Sequence, residues 1–245
     1  MDFSLILPTL GEQEKVKQFL DSIERTTTNK KEVEVLFAVD KGMTEIQKFV
    51  DMQEYSFRIS FYARPKTDNF SDDYYNWLAD RSIGKTIWAC NDDIWIKTNG
   101  WDDKIRSKIN RHGWSVYLVD THETTRGKIN KDFCCFPMIS RKSVTEIGFF
   151  FYKQVRVYPA DKIIYGVYKK IGRIIDAQDI EIQSVYVSED TDTRRWGIYQ
   201  EDLKNGALNI DITREVLKLL LVTKDDPGPK GDSKIDRIIK IIKEK

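Results

Sequence analysis

Two hydrophobic rhythms follow one another along the chain. Phe3 to Leu7 is a short apolar run stopped by Pro8, which predicts a buried strand opening into a loop. Val16, Phe19, Leu20 and Ile23 then recur at i, i+3, i+4 and i+7, the spacing of one helix face, and predict a helix from about Glu12 to Thr26. A polar turn, Thr26 to Lys31, leads to a second apolar run from Val33 to Val39, closed by Asp40-Lys41-Gly42. Strand, helix, strand in that order is a βαβ unit. It implies a parallel sheet with ligands at the carboxyl ends of its strands.

The alternation continues with a helix over Glu45 to Met52 and a strand in which Phe57, Ile59 and Phe61 alternate with Arg58, Ser60 and Tyr62. Asp73 to Ile83 is expected to be a helix and Lys85 to Cys90 a strand, with Asn91-Asp92-Asp93 at that strand's end. Later segments are less regular: helices at Trp101 to Asn110, Arg141 to Ile147 and Asp161 to Ile171, the last two stopped by Gly148 and Gly172. Strands are expected at Ser115 to Val119, within Lys131 to Ile139, and at Gln183 to Val187. The expected organisation is one α/β domain over residues 1–224, a Pro/Gly-rich linker at 225–232, and an amphipathic helix at 233–245. In that last segment five basic residues face two acidic ones, so it is a candidate for contact with an anionic surface; docking on its own domain or in a homodimer is the alternative.

Composition narrows the field. Against 40 Lys and Arg stand 39 Asp and Glu, and the net charge of +1 excludes a polyanion binder that works by bulk charge. Apolar residues make up 40% of the 245 positions and aromatic residues 12%, enough to offset the entropy of ordering. No stretch approaches the roughly 20 apolar residues that span a bilayer. The N-terminus has no basic segment before its short apolar run, and the three cysteines have no CxxC spacing, so a cytoplasmic setting is expected.

Most familiar catalytic motifs are absent. Gly84-Lys85-Thr86 looks like the end of a phosphate-binding loop, but the glycine required five residues earlier is Ala79. His112 and His122 are the only histidines, which leaves little for Ser-His-Asp chemistry. The acidic cluster says more, because Asp92 and Asp93 at a strand end supply hard oxygen ligands for Mg2+ or Mn2+, which in turn bridge a diphosphate. A solvated turn is the other reading of such a pair. Trp95, Trp101 and Trp114 are candidates for a sugar platform or for core.

In order and spacing these features resemble the GT-A glycosyltransferases, particularly glycosyltransferase family 2. The opening strand with Pro-Thr looks like Leu5-Ile6-Leu7-Pro8-Thr9, and the second strand ends in an Asp, as Val35 to Asp40 does. An Asn at the helix before the metal motif, a Gly at its end, an apolar strand and an Asp-x-Asp match Asn76, Gly84, Thr86 to Cys90, and Asn91-Asp92-Asp93. The basic pair before a short helix is similar to Arg141-Lys142, and the Glu-Asp motif to Ala160-Asp161.

The resemblance implies a Rossmann-like three-layer sandwich with a mostly parallel central sheet, and transfer of a sugar from a nucleotide diphosphate sugar, first of all a UDP-sugar, to an acceptor hydroxyl with inversion. It assigns Asp161 as base. It places Pro8, Thr9, Gly11, Asp40, Asn76 and Asp92 around the donor, and Asp93 with Asp92 at Mn2+ or Mg2+. By charge and position Arg194 and Arg195 are read either as a loop that closes on the donor diphosphate or as a solvated charged loop. Asp120, His122 and Trp196 fall on the acceptor side. The acceptor itself stays open among glycan, lipid, protein and modified nucleic acid. Departures are Asn91 for the first acid of Asp-x-Asp, Ala160 for the acid before Asp161, Val167 for an Arg, and no His after Val187, where Glu189, Asp190 or Asp192 would have to substitute. Two alternatives remain: a nucleotidyltransferase of related architecture, for which Gly11 alone is a poor substitute for a glycine-rich loop, and a non-catalytic nucleotide-sugar-binding module.

Overall fold

The computed structural model describes residues 1–124, 134–157, 159–184, 197–202, 204–205 and 218–219. Strand β1 (Phe3–Pro8), helix α1 (Gln13–Thr26) and strand β2 (Val33–Asp40) form the expected βαβ opening, with β1 and β2 parallel. Helix α2 (Glu45–Asp51) and strand β3 (Arg58–Arg64) follow, and β3 pairs parallel to β2. Next come a π-helical turn (Ser71–Asn76), the short α3 (Trp77–Ala79) and strand β4 (Thr86–Ala89), parallel to β1. Strand β5 (Ile94–Ile96), helix α4 (Trp101–His112), strands β6 (Leu118–Glu123) and β7 (Met138–Ser140), helices α5 (Arg141–Ile147) and α6 (Ala160–Ile171), and strand β8 (Ile174–Ser184) complete the described elements.

All eight strands belong to one sheet, ordered β3-β2-β1-β4-β7-β6-β8-β5. Only β7 and β5 run against the rest. The carboxyl ends of β1, β2, β3, β4, β6 and β8 therefore lie along one edge, where an α/β sheet presents ligand-binding loops.

The strands sort their side chains by alternation. Leu5, Leu7, Val35, Phe37 and Trp88 point to the face covered by α1, α2 and α4, in one core with Phe19, Ile46 and Trp101. Ile6, Leu36, Ala38, Ile87 and Ala89 point to the other face, against Leu78, Val144, Ile164 and Tyr168 from α3, α5 and α6. Helices on both faces of a sheet that is buried on both sides make the expected three-layer sandwich.

Gly84 holds the edge opposite the ligand-binding loops. Its N–H donates to Ser4 Oγ at 2.7 Å, and Ser4 in turn donates to the buried Glu34 Oε1, which also accepts from Ile83 N at 2.6 Å. A Cβ on Gly84 would stand 2.6 Å from Ser4 N and 2.7 Å from Phe3 C. Close backbone approach, not phosphate binding, explains this glycine. Arg141 belongs to the same latch, donating from Nε to Gly84 O at 2.7 Å, so the basic pair found in the sequence is half structural.

Three elements differ from expectation. The helix expected over Asp73 to Ile83 begins instead as the π-helical turn and ends at Ala79. Strand β6 starts at Leu118, three residues later than expected, and continues to Glu123. Strand β8 begins at Ile174, well before the expected Gln183, and β5 pairs with it unannounced. The linker and the C-terminal helix lie outside the described residues. Among the described residues no helix is long and apolar enough to cross a membrane.

Candidate functional site

The carboxyl edge gathers the chemistry. Pro8 ends β1, and Thr9 beyond it is buried because its side chain is tied down twice: Oγ1 donates to Asp92 Oδ2 at 2.5 Å and accepts from Gly11 N at 3.0 Å. Gly11 takes φ +77°, the left-handed region, and a Cβ there would come within 2.7 Å of the Met43 methyl. This turn brings the β1 loop to the end of β4. Asp92 is thereby held by Thr9 rather than left as a solvated turn residue. Burial, reinforced by the charge of neighbouring Asp93 and opposed by the Thr9 hydrogen bond, pushes its carboxyl up to about 6.

Asp40, at the end of β2, accepts a hydrogen bond of 2.6 Å from the Tyr74 hydroxyl. Burial, with that contact added, pushes the Tyr74 phenol up to about 12, so it stays a donor near neutral pH. Tyr75, the next residue of the π-helical turn, places its hydroxyl 2.9 Å from Cys90 O and 2.8 Å from Asn91 Oδ1. Neither tyrosine is singled out by the sequence pattern. Arg64, at the end of β3, pairs with Asp73 at 2.7 Å and packs its guanidinium over Trp77.

Asp161 sits in the first turn of α6 and accepts from Lys162 N at 2.8 Å. Burial pushes its carboxyl up to about 6, against the backbone hydrogen bonds and the Lys162 charge. Such a group is mostly ionised at neutral pH and still basic enough to take a proton. It lines a cavity of about 350 Å3 with Pro8, Asn91, Tyr75, Phe136 and Phe151. Thus one cavity joins the end of β1, the first residue of the acidic motif and the carboxylate at the head of α6, across some 150 residues of sequence.

The other sequence candidates sort differently. Asn76 is buried, with Nδ2 donating to Phe151 O at 2.8 Å and Oδ1 accepting from the N–H of Phe150 and Phe151, both at 2.8 Å. Its amide is committed to folding the 150–151 wall, so it shapes the cavity instead of lining it. Thr9, Asp40, Asp92 and Asp93 lie at the same edge but outside the lining of that cavity. Asp120 lies within β6 beside Cys134 and Tyr165, its carboxyl raised by burial, and His122 Nδ1 meets Gln178 Oε1 at 3.4 Å. Trp101 and Trp114 are core, not a sugar platform. Arg194, Arg195 and Trp196 lie outside the described residues, as do Glu189, Asp190 and Asp192. Among the described residues no group of three His, Cys, Asp or Glu side chains could hold a metal ion unaided.

No protein-family model matches the chain, and no curated protein matches it in sequence. Solved structures do match in fold. S. aureus TarS 1-349 in complex with UDP-GlcNAc superposes with a TM-score of 0.64 at 11% identity, over 99% of this chain and 71% of that one. The mannosyltransferase PcManGT from Pyrobaculum calidifontis, in complex with GDP-Man and Mn2+, gives 0.62 at 11% identity, over 98% of this chain and 78% of that one. Against the longer TarS chain the match covers 99% of this chain but 43% of the other. The fold is that of the GT-A glycosyltransferases.

Proposed function

We propose that the chain is an inverting glycosyltransferase, family 2-like, that moves a sugar from a nucleotide diphosphate sugar, first of all a UDP-sugar, to an acceptor hydroxyl. The observation that carries the reading is Asp161, a carboxylate with a raised pKa, facing the same cavity as Asn91 of the strand-end acidic motif. An acceptor hydroxyl is a weak nucleophile near pH 7. Asp161 takes its proton as the oxygen attacks the anomeric carbon, and the opposite face of the sugar carries the leaving nucleoside diphosphate. Attack from the side opposite the leaving group inverts the anomeric centre.

The donor set suits a hard divalent ion. Asp92 and Asp93 are the adjacent carboxylates that would hold such an ion; the charge of Asp93 already helps raise the Asp92 pKa, and a bound cation would relieve that repulsion. Two protein carboxylates with substrate phosphates completing the shell is the usual arrangement for Mg2+, and for Mn2+ by the same oxygen chemistry. When bound, the ion neutralises charge developing on the departing diphosphate. Thr9 orients Asp92, Tyr74 holds Asp40 by its hydrogen bond, and Asn76 holds the 150–151 wall of the cavity that Asp161 lines.

The reading is tested by incubating the protein with nucleotide diphosphate sugars, Mn2+ and an acceptor library, and following nucleoside diphosphate release with mass analysis of products. Asp161→Asn is expected to lower transfer at least a hundredfold while retaining donor binding. Full activity in that variant overturns the assignment of the base.

A further inference from the structure

Tyr75 poses a donor and acceptor problem at the first position of the acidic motif. Its hydroxyl lies 2.9 Å from Cys90 O and 2.8 Å from Asn91 Oδ1, yet a phenol carries one proton and cannot donate to both oxygens. Cys90 O is a fixed backbone acceptor. The Asn91 amide, by contrast, can turn about its last torsion and exchange oxygen for nitrogen in the same space. With Nδ2 toward the phenol both contacts are served at once: Asn91 Nδ2 donates to the Tyr75 oxygen, and Tyr75 donates to Cys90 O.

We infer that Tyr75 is a positioning residue that holds the Asn91 amide with Nδ2 on the phenol and Oδ1 turned to the cavity, so that Asn91 presents a neutral oxygen where a carboxylate would stand. The inference rests on the nucleotide-sugar reading for its ligand, and on Tyr75 and Asn91 both lining the cavity for its direction. Tyr75 is well placed for the task. The π-helical turn carries it to the strand end, and its ring packs edge-on against Phe151, 5.3 Å between centroids, which fixes the phenol's approach. A neutral oxygen accepts from a donor hydroxyl or ligates a hard cation without adding a third negative charge beside Asp92 and Asp93.

Two measurements test this. In the ligand-free protein, NMR is expected to show a cross-relaxation peak between the Asn91 side-chain amide protons and the ring protons of Tyr75 next to its hydroxyl. Absence of that peak, with the amide resonances assigned through Asn91→Asp, overturns the orientation. The second measurement is UDP affinity by calorimetry, with and without Mn2+, in four proteins: wild type, Tyr75→Phe, Asn91→Asp, and the double variant.

Tyr75→Phe is expected to weaken UDP about fivefold, the worth of one oriented hydrogen bond. In the Asn91→Asp background the same change is expected to cost less than twofold, because a carboxylate presents an oxygen whichever way it turns. A loss confined to the Mn2+ arm assigns the oxygen to the cation, and a loss in both arms assigns it to a hydroxyl of the nucleotide. An equal loss in both backgrounds makes Tyr75 a packing residue only and overturns the positioning role. If wild type binds no UDP in either arm, the nucleotide reading falls, while the cross-relaxation peak still decides the orientation of Asn91.

Discussion

At the residue scale, the base role proposed for Asp161 and the effect of its carboxyl on stability have opposite signs. Its carboxyl, pushed by burial up to about 6, lies above the ordinary aspartate value of 3.8, so the native state binds more protons than the unfolded chain between about pH 4 and pH 6. Stability therefore falls as pH rises through that window, and at neutral pH the ionised, half-buried carboxylate costs stability. Asp161→Asn is expected to melt about 2–4 °C higher than wild type at pH 7 and to match it near pH 4, as differential scanning calorimetry would read. Transfer by the wild type is expected to decline as pH falls through 6, as the base takes up its proton. A variant no more stable than wild type at pH 7 removes the burial argument. Motif order, and not residue type, made Asp161, Asp92 and Asp93 stand out in the sequence, because a carboxylate at a turn or a helix start also has ordinary capping uses. Asn76 and Tyr75 were harder. Where an amide or a phenol spends its hydrogen bonds is a tertiary fact, and a motif position shows only that the residue is polar.

Elements were legible where one period held from end to end. Helix α1 keeps its apolar stripe for its whole length, and β1 and β2 are apolar on both faces because helices cover both. Strand β8 shows the opposite case. Its buried positions are Ile175 and Ala177, then Ile180 and Ile182, so the alternation changes phase within the strand. The register with β6 slips at the same place, from Thr121 opposite Ala177 to His122 opposite Glu181, and a strand with a bulge offers no single period to read. The π-helical turn hid Tyr74 and Tyr75 in the same way, since i→i+5 bonding turns side chains off the α-helical schedule.

Glycines give the element-scale test. Gly84→Ala is expected to lower stability by about 1–3 kcal/mol or more, because its Cβ collides with the backbone of β1. Gly166→Ala, within α6 and with nothing inside 4 Å of its Cβ, is expected to raise stability by about 0.5–1 kcal/mol. Urea midpoints at constant slope measure both, and the reverse order would contradict the packing described for β1 and β4.

At the scale of the whole molecule, the near-zero net charge conceals local structure. Acidic residues gather at the carboxyl edge of the sheet, while residues 233–245 hold a basic excess outside the described residues. The topology makes that edge the candidate site: with six strands running one way, Pro8, Asp40, Arg64, Asn91, Glu123 and Ser184 come to one rim from across the sequence. Of these residues the order of the motifs along the chain points to Pro8, Asp40 and Asn91; Arg64 and Ser184 belong to no motif. The measurement that bears most directly on the central claim is thermal unfolding against a panel of nucleotide diphosphate sugars, with and without Mn2+. One donor, at about a hundred times its dissociation constant, is expected to raise the midpoint by about 5–10 °C in the presence of Mn2+, with a smaller rise in its absence and the full rise retained in Asp161→Asn. A panel in which no nucleotide diphosphate sugar moves the midpoint under either condition would contradict the account.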